Sequence, residues 1–203
     1  PPRKIFLDFK FLDTLSEEDI KSGIGEILHF YFYSNSKYAE LMMKEYDHLI
    51  QYPQDLVKYI VESLKIKKSV IEIDEFDKDE RNLFNYGHTF GHAIETATNY
   101  GIKHGQAVTV GMDIANYISN HNGLMDSTDY KKSKELLEIN FPKYNWLNFD
   151  NDLFLKSLAK DKKNEGKELG CILSERPGKL VKTFLQIDED FKVLMRSYFK
   201  NIE

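Results

Sequence analysis

Apolar residues recur three and four apart along most of the chain, the spacing that gathers them on one helix face. Leu56, Tyr59, Ile60 and Leu64 show the pattern plainly. It predicts helices at about 16–33, 36–49, 54–67, 81–98, 106–119, 128–137, 151–160 and 189–199. Ser16 followed by Glu17, Glu18 and Asp19 marks the first start: a capping hydroxyl, then acids suited to the positive helix end. Val70-Ile71-Glu72-Ile73-Asp74 is β-branched enough for a strand, or continues the helix before it. Residues 169–173 and 179–187, around Ser174-Glu175-Arg176-Pro177-Gly178, read as a hairpin with a Pro-Gly turn. Lys4–Asp8 reads as a strand, and the charged run 74–81 as a solvated loop. The predicted fold is mainly α with a small β-hairpin, one domain over residues 1–203.

Composition narrows the function. At 203 residues a core of real size is available, and 28 basic against 33 acidic side chains give a net charge of −5. That removes the general attraction to phosphate backbones on which nucleic-acid binders rely. Cys171 is the single cysteine, so no internal disulfide forms, and apolar runs fall far short of the ~20 residues that span a bilayer. The expectation is a cytoplasmic protein with neither nucleic acid nor membrane as partner. The glycines form neither G-x-G-x-x-G nor G-x-x-x-x-G-K-[ST], so no nucleotide-cradling loop is expected in these residues.

The histidines carry the chemical signal. His88-Thr89-Phe90-Gly91-His92 sets two imidazoles one helical turn apart, and Glu95 follows a further turn on, offset. Arg81, Asn85 and His88 recur at intervals of four and three, so the face carrying the histidines is expected also to carry a guanidinium and an amide. Gly87 and Gly91 cost a helix interior about 1 kcal/mol each relative to Ala, and either a ligand or a neighbouring helix would explain them. His104 stands at the entrance of the next helix, which a short connection makes an antiparallel neighbour. A metal site of the Lewis-acid kind also needs a carboxylate. Glu26, mid-helix in Ser22-Gly-Ile-Gly-Glu26-Ile-Leu-His29, is an expensive charge among small and apolar residues unless paired or coordinated. A di-metal bundle needs more carboxylates than this stretch supplies, which favours one ion.

These residues resemble a known family. Arg81-Asn-Leu-Phe-Asn85-Tyr-Gly-His88-Thr-Phe-Gly-His92-Ala-Ile-Glu95, then His104-Gly-Gln-Ala-Val108, is similar to the signature of the 3-dehydroquinate synthase family of sugar-phosphate cyclases. The likeness extends to Lys67, Asp74-Glu75, Ser22–Glu26 and Asp161-Lys162-Lys163. It implies the helical C-terminal domain of such an enzyme, the NAD-binding N-terminal domain lying outside these residues. It further implies Glu26, His88 and His104 as ligands of zinc or another divalent metal. Arg81, Asn85, Lys67, Lys162, Lys163 and His92 match family positions that contact a phosphorylated sugar or keto-acid substrate. In the family, NAD transiently oxidises a substrate hydroxyl, phosphate is eliminated, NAD is regenerated, and an aldol step closes the ring. The resemblance also implies a homodimer, a place in the shikimate route to aromatic amino acids, and an inactive protein if this half is isolated.

Two positions depart from the family pattern. His29 stands where Glu-x-x-Lys is usual, exchanging a permanent cation for an imidazole partly neutral at pH 7. Gln106 replaces the Glu of His-Gly-Glu, which reads as one acid fewer beside the metal. Both bear on substrate choice. The alternatives to a cyclase are a metal-dependent polyol dehydrogenase of the same superfamily and an inactive helical binding module.

Overall fold

Ser16 starts the first helix as the sequence predicts: its hydroxyl accepts the Asp19 amide N–H at 3.1 Å. The computed structural model describes residues 4–75, 80–160 and 168–202. Helix α1 is Glu17–Ser34, closed by Asn35 in the left-handed region at φ 50°. Then follow α2 (Tyr38–Lys44), α3 (Tyr46–Gln51), α4 (Val57–Ile73), α5 (His88–Ala97), α6 (His104–His121), α7 (Ser127–Glu138), α8 (Asn151–Leu158) and α9 (Glu189–Asn201). Among the described residues one sheet forms, the antiparallel pair β1 (Glu168–Arg176) and β2 (Lys179–Gln186). The architecture is mainly α with a small hairpin, as the periodicity predicts.

Four local readings need correction. Lys4–Asp8 forms no strand, because among the described residues no partner pairs with it; Ile5 and Phe6 are exposed, and a 3₁₀ turn follows at Phe9–Thr14. The predicted helix 36–49 breaks at Glu45, whose carboxylate is drawn to the next segment by Lys58 Nζ and Tyr59 Oη, at 2.7 and 2.8 Å. The predicted helix 81–98 is two pieces, a 3₁₀ turn at Glu80–Asn85 and then α5, separated by Gly87 at φ 78°. Asp74 is buried rather than solvated and accepts the Arg81 N–H at 3.1 Å. The β-branched run at 70–73 continues α4.

Helix α6 is the centre of the core, buried from Gly105 to Ser119 except for half-buried Tyr117. Its neighbours approach at backbone distance. A Cβ on Gly105 would lie 1.8 Å from the Ser22 carbonyl oxygen of α1, and one on Gly25 would lie 2.0 Å from that of Gly105. On the other flank a Cβ at Gly111 would lie 2.1 Å from the Gly87 carbonyl oxygen. A neighbouring helix, then, accounts for the glycines of the histidine segment: Gly91 packs on Val108. The hairpin turn at Pro177-Gly178, with Gly178 at φ 78°, donates its Gly178 N–H to the Phe32 carbonyl near the end of α1, at 2.9 Å. Among the described residues no helix is long and apolar enough to cross a membrane.

Two predictions follow from this packing. Gly105→Ala must push α1 and α6 apart, at a cost of about 1–3 kcal/mol or more, read as a lower denaturant midpoint; an unchanged midpoint would contradict the backbone contact. Asp113, buried in α6, accepts from Tyr198 Oη at 2.7 Å through Oδ2, while Oδ1 has no partner. Burial pushes its carboxyl up to about 6 from an ordinary 3.8, despite the Tyr198 bond and the charge of Lys134. A raised folded-state value means stability fully present below about pH 4 and lost as pH rises through 6, on the order of 3 kcal/mol. Thermal melts of Asp113→Asn should lose that slope between pH 4 and 7, and a slope as steep as in the parent would refute the assignment.

Candidate metal centre

Three helices deliver one carboxylate and two imidazoles to a single point. Glu26 projects from the middle of α1, and His88 and His104 are the first residues of α5 and α6. Gly87 is what lets α5 begin at His88, because its positive φ turns the chain into the helix there. The start of α6 has no capping side chain of its own; Ser22 of α1 supplies one, its Oγ accepting the Gly105 N–H at 2.9 Å. Lys103 Nζ pairs with Asp19 at 3.0 Å across the same junction. His104 is thus fixed against the helix that carries Glu26.

Glu26 Oε1 is buried and has no hydrogen bond of acceptable geometry, although His104 Nε2 lies at 3.2 Å and His88 Nε2 at 3.6 Å. Three donors held about 2.0–2.2 Å from one tetrahedral cation stand about 3.3 Å apart. The observed separations fit that figure, and all three ligand atoms lie within 4.8 Å of one another. One oxygen and two nitrogens with room for further ligands suit a divalent ion such as zinc or cobalt. His88 Nδ1 lies 3.2 Å from the Tyr86 carbonyl oxygen, a group that can only accept, so Nδ1 donates and Nε2 keeps its lone pair toward Glu26.

The electrostatics follow from this crowding. Burial alone would raise the Glu26 carboxyl, but His104, His88 and His29 around it outweigh burial and bring it to about 2. His104 is pulled up to about 9, first by Glu26 and, against burial, also by Glu95. Burial lowers His88.

The remaining candidate residues distribute unevenly around this centre. His92, exposed and one turn along α5, has its ring centroid 5.8 Å from that of His88 and 5.5 Å from that of His104, on which it stacks. His29 shares the α1 face with Glu26 but is 1 % exposed, walled in by Phe30, Phe84 and His88, with burial lowering it to about 3. Lys67 crosses the Phe30 ring at 5.8 Å, near enough for its charge to lower His29 further. Asn85 donates to the Asn82 carbonyl at 3.0 Å. Among the described residues, the hydrogen bonds of Arg81 go to Asp74 and Glu75. Because Gly87 breaks the helix, Arg81 and Asn85 do not continue the His88 face. Lys162 and Lys163 lie outside the described residues.

Gln106 is a correction. It does not sit beside the metal set: it is buried, and its Nε2 donates to the Asn140 carbonyl at 3.2 Å. Asn140 in turn accepts from Tyr46 Oη at 2.9 Å and donates to Thr109 Oγ1 at 3.0 Å. Sequence reasoning also underrated Glu95, whose Oε2 lies 3.0 Å from His104 Nδ1. The signal available was the run His88, His92, Glu95 at successive turns; the partner across the helix pair was not readable. Gln106→Glu should set a carboxylate against the Asn140 carbonyl and cost about 1–3 kcal/mol, leaving metal affinity unchanged. Tighter metal binding in that variant would place residue 106 at the centre after all.

Fold and site together define a helical domain built around a Glu-His-His set whose geometry suits a divalent cation. The 3-dehydroquinate synthase C-terminal family profile matches residues 23–164, and the chain belongs to that family. It is 31% identical over 196 residues to a bifunctional 3-dehydroquinate synthase/phosphatase of Fusobacterium nucleatum, covering 95% of this chain and 30% of that protein. With the 3-dehydroquinate synthase of Dictyoglomus turgidum identity is 35% over 181 residues, 88% of this chain and 51% of the relative. The chain spans about half the length, or less, of these curated relatives. In structure it is similar to 2-deoxy-scyllo-inosose synthase complexed with carbaglucose-6-phosphate, NAD+ and Co2+, with TM-score 0.84 and 28% identity over 100% of this chain and 57% of that one. A 2-epi-5-epi-valiolone synthase of Streptomyces hygroscopicus, solved with NAD+ and Zn2+ bound, shares the fold at TM-score 0.72 and 20% identity, over 94% of this chain and 55% of its own.

Proposed function

We propose that this chain is the metal-bearing half of an NAD-dependent sugar-phosphate cyclase of the 3-dehydroquinate synthase type, a carbon–oxygen lyase. The observation that carries this reading is the buried, unsatisfied Glu26 Oε1 between His88 Nε2 and His104 Nε2. The substrate would be a phosphorylated sugar or keto acid, and zinc or another divalent cation would occupy the centre. A cation there supplies Lewis acidity toward a substrate hydroxyl and the carbonyl it becomes.

The chain's own residues divide the remaining work. Glu26, His88 and His104 hold the cation. His92 stands exposed beside two of them, placed to pass a proton between a substrate oxygen and solvent through its ring nitrogens. Arg81 offers a planar fork for phosphate or carboxylate, Asn85 an amide for a hydroxyl, and Lys67, Lys162 and Lys163 point charges for the substrate's anionic groups. Buried His29 acts on the site through His88 and the Lys67 neighbourhood. NAD binding falls to a domain outside these residues. A homodimer, a cytoplasmic setting and a shikimate-pathway role belong to the same reading.

Metal analysis of the native protein should find about one equivalent of divalent ion, with Glu26→Ala, His88→Ala and His104→Ala each abolishing or severely weakening uptake. Joined to its cofactor-binding domain, the protein should release inorganic phosphate from heptulosonate phosphate, sedoheptulose phosphate or glucose phosphate without net NADH. Residues 1–203 alone should release none. Accumulating NADH would favour a polyol dehydrogenase instead, and an absence of both metal and turnover would sink the enzyme reading.

A further inference from the structure

We infer that Glu95 is a positioning residue for the metal centre, fixing His104 in the tautomer and orientation that present Nε2 to the cation. The inference rests on the metal reading above and goes beyond it.

The two nitrogens of the His104 ring face two different carboxylates. Nε2 lies 3.2 Å from Glu26 Oε1, and Nδ1 lies 3.0 Å from Glu95 Oε2. A neutral imidazole has one N–H and one lone pair, so the choice of tautomer decides which nitrogen can ligate. With the proton on Nδ1, Glu95 receives a charge-assisted hydrogen bond and the Nε2 lone pair points at Glu26 and His88. The opposite tautomer would set a lone pair against a carboxylate whose side chain is only 14 % exposed. With a cation between Nε2 and Glu26 Oε1, only the first arrangement leaves neither carboxylate unsatisfied. His88 is governed likewise by the Tyr86 carbonyl, so both imidazoles offer the same ring nitrogen.

Glu95 has a second effect, which comes from its helix. It belongs to α5, as His88 does, while His104 belongs to α6. The Glu95–His104 bond therefore ties the two nitrogen ligands to one element, and the stacking of His92 on the outer side of the His104 ring leaves that ring little freedom to rotate. His92, Glu95 and His104 also bring ligand atoms within 4.8 Å of one another, a possible second cation site. That use would require His104 Nδ1 as a ligand while Nε2 serves the first ion, and a single neutral ring cannot supply both lone pairs. Glu95 is accordingly an outer partner of one site and not a ligand of another.

The test uses the full chain as wild type, Glu95→Gln, Glu95→Ala and Glu26→Ala. Affinities for Zn2+ and Co2+ are measured by competition with a chromophoric chelator, alongside the visible absorption of the Co2+ form and the melting temperature of the metal-free protein. Glu95→Ala should bind about 10- to 100-fold more weakly, with an altered Co2+ spectrum. Glu95→Gln, whose amide oxygen still accepts from Nδ1, should recover part of that loss, and it decides the matter if the alanine variant fails to fold. Equal affinity in wild type and both Glu95 variants, or a lower melting temperature with affinity unchanged, overturns the inference while leaving the metal centre standing. A second bound equivalent that disappears in Glu95→Ala overturns it too, because Glu95 would then be a ligand. If wild type binds no more metal than Glu26→Ala, the metal reading itself falls, and this one with it.

Discussion

The structure depends on one steric constraint, the backbone-to-backbone packing of α1 and α5 against α6. Side chains of ordinary size hold helix axes 8–10 Å apart. Here the carbonyls of Ser22, Gly105 and Gly87 occupy space that a Cβ on Gly105, Gly25 or Gly111 would claim. A carboxylate as short-reaching as Glu26 can approach His88 and His104 together only at such separations. The close approach also explains how Ser22 of one helix can cap another, which in turn sets where His104 begins α6. Packing and chemistry are here the same arrangement seen at two scales.

Around that contact the domain keeps its polar groups in separate compartments. The Glu26-His88-His104 set opens toward solvent, with His104 40 % and Glu26 38 % exposed at the side chain, yet Glu26 Oε1 itself is buried. The Gln106–Asn140–Tyr46–Thr109 network lies in the interior and joins α6 to α3 and to the chain following α7. Satisfied internal networks of this kind fix a unique packing more than they add net stability. Asp113 and Tyr198 join α6 to α9 in a third place. Residue 106 thus belongs to the interior network, and residue 95 to the histidine cluster.

Much of this was legible in the sequence, and the failures share a cause. The one-turn spacing of His88 and His92, the stranded charge of Glu26 in an apolar stretch, the Ser16 cap and the Pro177-Gly178 turn are local features, and local reading found them. The break at Gly87 was not legible, because a glycine in a periodic run does not announce whether it is a tight contact or a left-handed corner; here it is both. Glu95 looked offset from the histidine face because its partner lies on another helix. Gln106 was misplaced for the opposite reason, its nearness in sequence to His104 hiding that its side chain points to Asn140. Lys4–Asp8 has the composition of a strand but, among the described residues, no neighbour with which to pair.

The hydrogen bond from Gly178 to the Phe32 carbonyl has a mechanical consequence. Gly178 also packs directly on Asn35, where a Cβ would come within 2.5 Å of the Asn35 side chain, so the hairpin tip sits on the end of α1 as a stop. The other end of α1 is held to α6 through Ser22, Gly25 and the Asp19–Lys103 pair. Pinned at both ends, α1 cannot slide along its axis, and one residue of slippage would move Glu26 by about 1.5 Å. A push along α1 can therefore reach Glu26 only by moving the hairpin tip or α6 as well.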